Sequence, residues 1–134
     1  MALKGGCLCG GVRYQIDDKI TSAANCHCSM CRKQSGAAFL TAAGVATKNF
    51  KWTAGENLIQ RYESSPGAVR MFCSKCGSTL AGGAADPKAD MLWVMLGTLD
   101  DDPGVKPSAH IFVGSKAPWF EITDKLPQHK EFPG

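Results

Sequence analysis

No stretch of this 134-residue chain stays apolar long enough to cross a membrane. A spanning helix needs about 20 apolar residues in a row, and the longest run here, Met91-Leu92-Trp93-Val94-Met95-Leu96, suits one buried strand. The opening Met1-Ala2-Leu3-Lys4-Gly5-Gly6 lacks the apolar segment of a signal peptide. Charge of one sign is gathered nowhere either. The 15 basic residues are scattered among 12 acidic ones and the net charge is +3, which leaves no stripe to neutralise a phosphate backbone. Nucleic acid is therefore not an expected partner, and the scattered charges read as a solvated surface. Internal repeats, linkers and low-complexity tracts are also missing, so residues 1–134 are expected to form one domain, the usual size for such a length. With no export signal in view, seven cysteines point to a reducing compartment and a cytoplasmic location, where metal binding is commoner than disulfides.

Glycine is plentiful, at 15 residues, and there are seven prolines. That composition implies many turns and few long helices. Apolar and polar residues alternate in 12–16 and 50–53, the period of a half-buried strand. Further strands are expected over 20–25, 37–43, 58–62, 68–72 and 110–113. The most apolar one, 91–99, should lie at the centre of a sheet. Ser64-Ser65-Pro66-Gly67 is a turn signal. A short helix over 30–34 would be capped by Ser29 and stopped by Gly36. Loops are expected at 82–90 and 100–107, and an irregular tail at 114–134. Roughly nine short strands with one brief helix describe an all-β fold.

The cysteines organise this frame. Cys26, Cys28 and Cys31 are spaced C-x-C-x-x-C. Three thiols this close cannot pair off as disulfides without a remainder, but they can share one metal ion. Zinc takes four ligands and its catalytic sites usually have three from the protein, so this set reads as an open zinc site. Cys7 with Cys9, and Cys73 with Cys76, make a four-thiolate set, the closed structural kind. Gly77 follows Cys76 and admits the positive-φ turn that aims backbone N–H groups at sulfur. Two zinc ions per chain are the expected complement. A redox role for Cys73 and Cys76 would need a βαβ setting that the sequence does not offer.

Whether the second set is open turns on three histidines. His27 sits between two ligands, so its ring should point elsewhere; His110 or His129 can close the site from a distance. An iron–sulfur cluster remains an alternative, although most need four protein ligands. Arg32 and Lys33 follow the third cysteine and can steady a negative thiolate centre, hold a carboxylate of an anionic thiol, or form a solvated pair. His27 and His110 are candidate proton carriers by residue type. Trp119 is expected to fill core.

Taken together, Gly6-Cys7-Leu8-Cys9-Gly10, Cys26-His27-Cys28-x-x-Cys31-Arg32-Lys33-x-x-Gly36, Phe72-Cys73-x-x-Cys76-Gly77-Ser78, and the later Pro107-x-x-His110-Ile111-Phe112-Val113 with Ser115-Lys116-Ala117-Pro118-Trp119 resemble the glutathione-dependent formaldehyde-activating enzyme family, which includes centromere protein V. The likeness runs over about residues 5–133. It implies a β-tent fold of packed antiparallel sheets, a structural zinc on Cys7, Cys9, Cys73 and Cys76, and a catalytic zinc on Cys26, Cys28 and Cys31. It further implies a carbon–sulfur lyase that joins glutathione reversibly to formaldehyde or a related small aldehyde. On that view His27 and Arg32 are catalytic candidates, with Arg32 and Lys33 binding the thiol. The competing expectation is a non-enzymatic zinc module that binds a protein or nucleic acid. A metal-bound thiolate beside an aldehyde can add to its carbonyl carbon, which suits the residues present.

Overall fold

The computed structural model describes residues 2–133; Met1 and Gly134, the two ends of the expected domain, lie outside the described residues. Among the described residues ten strands form two sheets. In the smaller, β1 (Leu3–Gly6) pairs with β2 (Arg13–Ile16), and β2 with β5 (Phe50–Ala54). The larger holds β3 (Ala23–Cys26), β4 (Leu40–Ala46), β6 (Ile59–Ser65), β7 (Ala68–Cys73), β8 (Thr79–Ala84), β9 (Met91–Met95) and β10 (His110–Ile111). Their order across the sheet is β10-β3-β4-β9-β8-β7-β6. Every pairing is antiparallel except β10 with β3. The fold is mainly β, and β9 is the central strand, as its apolar sequence implies.

The core lies between the sheets because each strand alternates. Tyr14 and Ile16 of β2 are buried, and so are Ala43 and Val45 of β4 and Leu92 and Val94 of β9. The next residues along β4 and β9 face the other side of the large sheet. There the side chains are small. Ala24 pairs with Ala42, Ala42 with Met95, and Gly44 and Gly82 flank Trp93 from either side. A Cβ on Gly44 would lie 2.8 Å from Met91 Cε and 3.6 Å from a ring carbon of Trp93, so glycine is what lets these two side chains lie down on the sheet. Small residues on one face therefore leave a hollow there.

Several expectations need correction. Residues 79–84 are strand β8, so the loop expected over 82–90 begins only after Ala84. Gly82 and Gly83 mark a strand with space above it, not the end of a strand. Leu3–Gly6 also forms a strand that its two glycines conceal. Strand β9 stops at Met95 and continues as a 3₁₀ turn over Leu96–Thr98. The expected strand 110–113 stops at Ile111, because Phe112 turns into the left-handed region at φ 57°. Trp119 is 71% exposed rather than core. The α-helix α1 (Ser29–Ser35) ends as expected at Gly36, which has φ 69° and donates to the Arg32 carbonyl. Its N-cap is Cys28, whose sulfur accepts from the Cys31 N–H at 3.2 Å; Ser29 is already inside the helix. Among the described residues no helix is long and apolar enough to cross a membrane.

Candidate metal centre and adjoining cavity

The four-cysteine set joins the two sheets. Cys7 leaves β1 and Cys9 lies in the turn before β2, while Cys73 ends β7 and Cys76 sits in the knuckle after it. The four sulfurs lie within 4.8 Å of one another, with Cys7 to Cys9 at 3.5 Å and Cys9 to Cys73 at 3.9 Å. Backbone N–H groups of Val12, Gly11 and Lys75 donate to the sulfurs of Cys7, Cys9 and Cys73 at 3.2, 3.4 and 3.4 Å. Gly77 takes φ 80° as the knuckle requires. The Ser78 hydroxyl, then the N–H groups of Ser78 and Cys9, pull the Cys76 thiol down to about 5. Four sulfurs this close, three of them met by amide donors, fit a closed tetrahedral metal.

The three-cysteine set is built at the junction of β3 and α1. Cys26 ends the strand, Cys28 caps the helix and Cys31 lies on its first turn. Their sulfurs are within 4.8 Å of one another, and among the described residues no histidine, aspartate or glutamate completes the group. Hydrogen bonds from Cys26 and then Cys31 bring the Cys28 thiol down to about 2, while the same contacts push Cys26 up. Alone, the set settles on a shared negative charge; a soft dication is what would release its remaining protons. The donors fit zinc with three protein ligands.

One cation serves this set, and the sequence reading missed it. Arg70 of β7 reaches Cys31 Sγ with both terminal nitrogens at 3.7 Å. It is held there by Gln34 Oε1 at 2.7 Å and Ser64 Oγ at 3.1 Å. The available signal was a lone arginine within the otherwise apolar Ala68-Val69-Arg70-Met71-Phe72. Arg32, by contrast, donates through Nε to the Ser115 carbonyl at 3.1 Å. Lys33 lines a surface groove of about 490 Å³ together with Gln34, Tyr62 and Arg70.

His27 lies behind the thiols. It is fully buried, and its Nε2 is 2.8 Å from His110 Nδ1, whose own Nε2 is 2.9 Å from Asp124 Oδ2. The carboxylate can only accept, so His110 donates to Asp124 through Nε2 and accepts from His27 Nε2–H at Nδ1. The lone pair of His27 then sits on Nδ1, which is buried and has no partner among the described residues. Burial, then the neighbouring His110, lowers the His27 pKa and keeps its ring neutral. Donation from His110 lowers Asp124. His129 donates its backbone N–H to the His110 carbonyl at 2.8 Å, and neither it nor His110 joins the three sulfurs. Replacing His110 with leucine would strand the His27 N–H, and should lower stability by about 1–3 kcal/mol. Thermal unfolding of the variant checks this; an unchanged melting temperature would mean that the buried chain is not a structural brace.

Beside the three sulfurs, on the hollow outer face of the large sheet, lies a cavity of about 440 Å³. Cys26, Cys28 and Cys31 form part of its wall, and Met30, Ser64 and Arg70 separate it from the groove that contains Lys33.

A family model described as glutathione-dependent formaldehyde-activating enzyme matches residues 2–115. A Halomonas elongata protein provisionally named glutathione-dependent formaldehyde-activating enzyme is 31% identical, over 93% of this chain and 83% of the relative. A Schizosaccharomyces pombe protein named as an uncharacterized lyase is 32% identical over 58% of this chain and 54% of its own. A crystal structure of a Rhodobacter sphaeroides protein superposes with a TM-score of 0.61 at 25% identity, covering 78% of this chain and 91% of that one.

Proposed function

The chain belongs to the glutathione-dependent formaldehyde-activating enzyme family, and from that premise we propose that it is a zinc-dependent carbon–sulfur lyase adding the thiol of glutathione to a small aldehyde, reversibly. The observation that carries the reading is a set of three cysteine sulfurs, with no fourth side-chain ligand among the described residues, on the wall of a cavity. When held by Cys26, Cys28 and Cys31, zinc supplies an open position at which an added thiol loses its proton near neutral pH.

The chain's own residues do the rest. Arg70 balances the charge on the Cys31 sulfur and fixes its direction. Lys33 offers its ammonium to a carboxylate of glutathione lying along the groove. The tripeptide's charged ends belong in that groove, because Arg70 is the one charged side chain on the cavity wall and it is already committed to Cys31, Gln34 and Ser64. Arg32 ties α1 to the Val113–Ser115 turn through Ser115. His27 is off the cavity wall, so its part is to hold the Cys26–Cys28 segment through His110 and Asp124. Proximity of the two reactants supplies much of the rate gain. As the S–C bond forms, the C=O π pair moves onto oxygen, which takes a proton from water admitted through the groove.

NMR exchange between formaldehyde and S-(hydroxymethyl)glutathione should run faster with zinc-loaded protein than without. Arg70→Gln should slow that exchange by about 10–100-fold, the usual cost of losing a group that orients a metal ligand. Lys33→Ala should raise KM with little change in kcat, the mark of lost uniform binding. No acceleration, together with an unchanged spectrum of the cobalt-substituted protein at millimolar glutathione, would overturn the assignment and favour a zinc module that is not an enzyme.

A further inference from the structure

The cavity beside the three sulfurs is far larger than formaldehyde needs, and its wall has the wrong chemistry for a small polar guest. A water molecule has a share of about 30 Å³ in the liquid, and an aldehyde of two heavy atoms is not much bigger, whereas the cavity holds about 440 Å³. Leu40, Val69, Trp93, Met95, Ile111 and Phe112 give it an apolar lining. Apart from the three thiols, the only lining side chains that carry polar groups for a guest are Ser64, Ser65 and Arg70, with the Trp93 indole. The space exists because Ala24, Ala42, Ala68 and Gly82 stand where larger residues would fill it.

A second observation points the same way. Phe112 is the one non-glycine residue at positive φ among the described residues. Backbone strain of that kind persists where the surrounding structure holds it and tends to gather at ligand sites. Here the Phe112 N–H donates to the Glu131 carbonyl and the Val113 N–H to the His129 carbonyl, which hold the kink. Its effect is to set the Phe112 ring on the cavity wall, edge to face with Phe132 at 4.8 Å. Trp93, bedded on Gly44, lines the same cavity.

We infer that the aldehyde taken by this chain carries an apolar group of several carbons, a linear alkyl chain or a ring, which fills this cavity while glutathione lies in the groove across Met30, Ser64 and Arg70. The inference rests on the thiol-addition reading above and names its second substrate. The bond changes are unchanged in kind. The glutathione sulfur bonds to the carbonyl carbon, the C=O π bond opens onto oxygen, and the thiol's proton is replaced by one delivered to that oxygen from water. The product is a hemithioacetal with an apolar substituent, and no oxidant or reductant enters.

The test compares formaldehyde, acetaldehyde, butanal and hexanal with glutathione and zinc-loaded protein, each rate divided by its uncatalysed rate. Every methylene up to hexanal should raise the enzymatic acceleration about threefold to fourfold, the fold-change that burying one such group brings. Ala42→Leu, on the cavity floor, should cut the ratio of hexanal to acetaldehyde acceleration at least tenfold. Ala84→Leu, at its exposed rim, repeats the test should the first variant fold poorly. Binding of 1-hexanol to the zinc-loaded protein, followed by saturation-transfer NMR, gives a readout independent of turnover, and should be weakened by either substitution. Acceleration of formaldehyde alone, or a flat series with 1-hexanol unbound, would overturn the inference and leave thiol addition standing. No acceleration with any aldehyde, but 1-hexanol bound and lost in the variants, would overturn the reaction and support the cavity as an apolar site.

Discussion

Cys76→Ala should unfold the chain. The Cys7, Cys9, Cys73 and Cys76 sulfurs connect the turn before β2 in the small sheet to the end of β7 in the large one. Binding of structural zinc in comparable small sites is worth about 10–16 kcal/mol at neutral pH. A domain's entire stability is about 5–15 kcal/mol. Removing one of four ligands weakens the metal greatly and leaves Cys73, at the bottom of the core, without the ion that organises it. Circular dichroism at 25 °C should show loss of the cooperative melt, and elemental analysis should find at most the ion of the other set. A normal melt for Cys76→Ala would show that burial alone holds the two sheets together.

Cys28→Ala should have the opposite profile, a folded protein that no longer works. Cys28 lies just beyond the end of β3, where its sulfur caps α1 and is one of the three that could hold a metal. Loss of the cap costs about 1 kcal/mol, too little to unfold a domain. Loss of one of only three donors empties the second site, so one zinc per chain should remain and exchange of S-(hydroxymethyl)glutathione should fall by at least about a hundredfold. Melting curves recorded beside those of Cys76→Ala decide between the two roles. Equal loss of structure in both variants would make both sets structural.

What the sequence made legible was local in the chain. The four-plus-three division of cysteines follows from spacing, and the sulfurs do gather in those two groups. The central place of β9 follows from its apolar run. The short helix follows from its flanking signals, although it begins one residue earlier than expected and its cap is the Cys28 sulfur, which accepts from the Cys31 N–H. What was hidden depends on pairing across the sheets. Arg70 stands 39 residues from the sulfur it serves, and nothing near it in sequence announces that partner. Gly82 punctuates a chain read by itself, yet in the sheet it helps leave the hollow beside Trp93. Asp124 lies in a tail without regular structure, and only the alignment of β10 beside β3 brings His110 between it and His27.

The two metal sets differ in how much of the polypeptide must exist before they can form. Cys26, Cys28 and Cys31 are complete as soon as residue 31 has been added. The other set needs Cys76, and then closure of a loop whose inner ends, Cys9 and Cys73, are 64 residues apart. Closing such a span is slow because its entropy is lost before any contact repays it. Emerging from the ribosome, the chain therefore offers a soft-metal chelate while it is still without a sheet, and acquires its second chelate only as the sheets meet. If each set takes an ion, uptake of the first would be governed by the local metal supply, and uptake of the second by the chain's own folding. A metal shortage would then appear first at the three-cysteine set, in chains that close their sheets with that set unfilled.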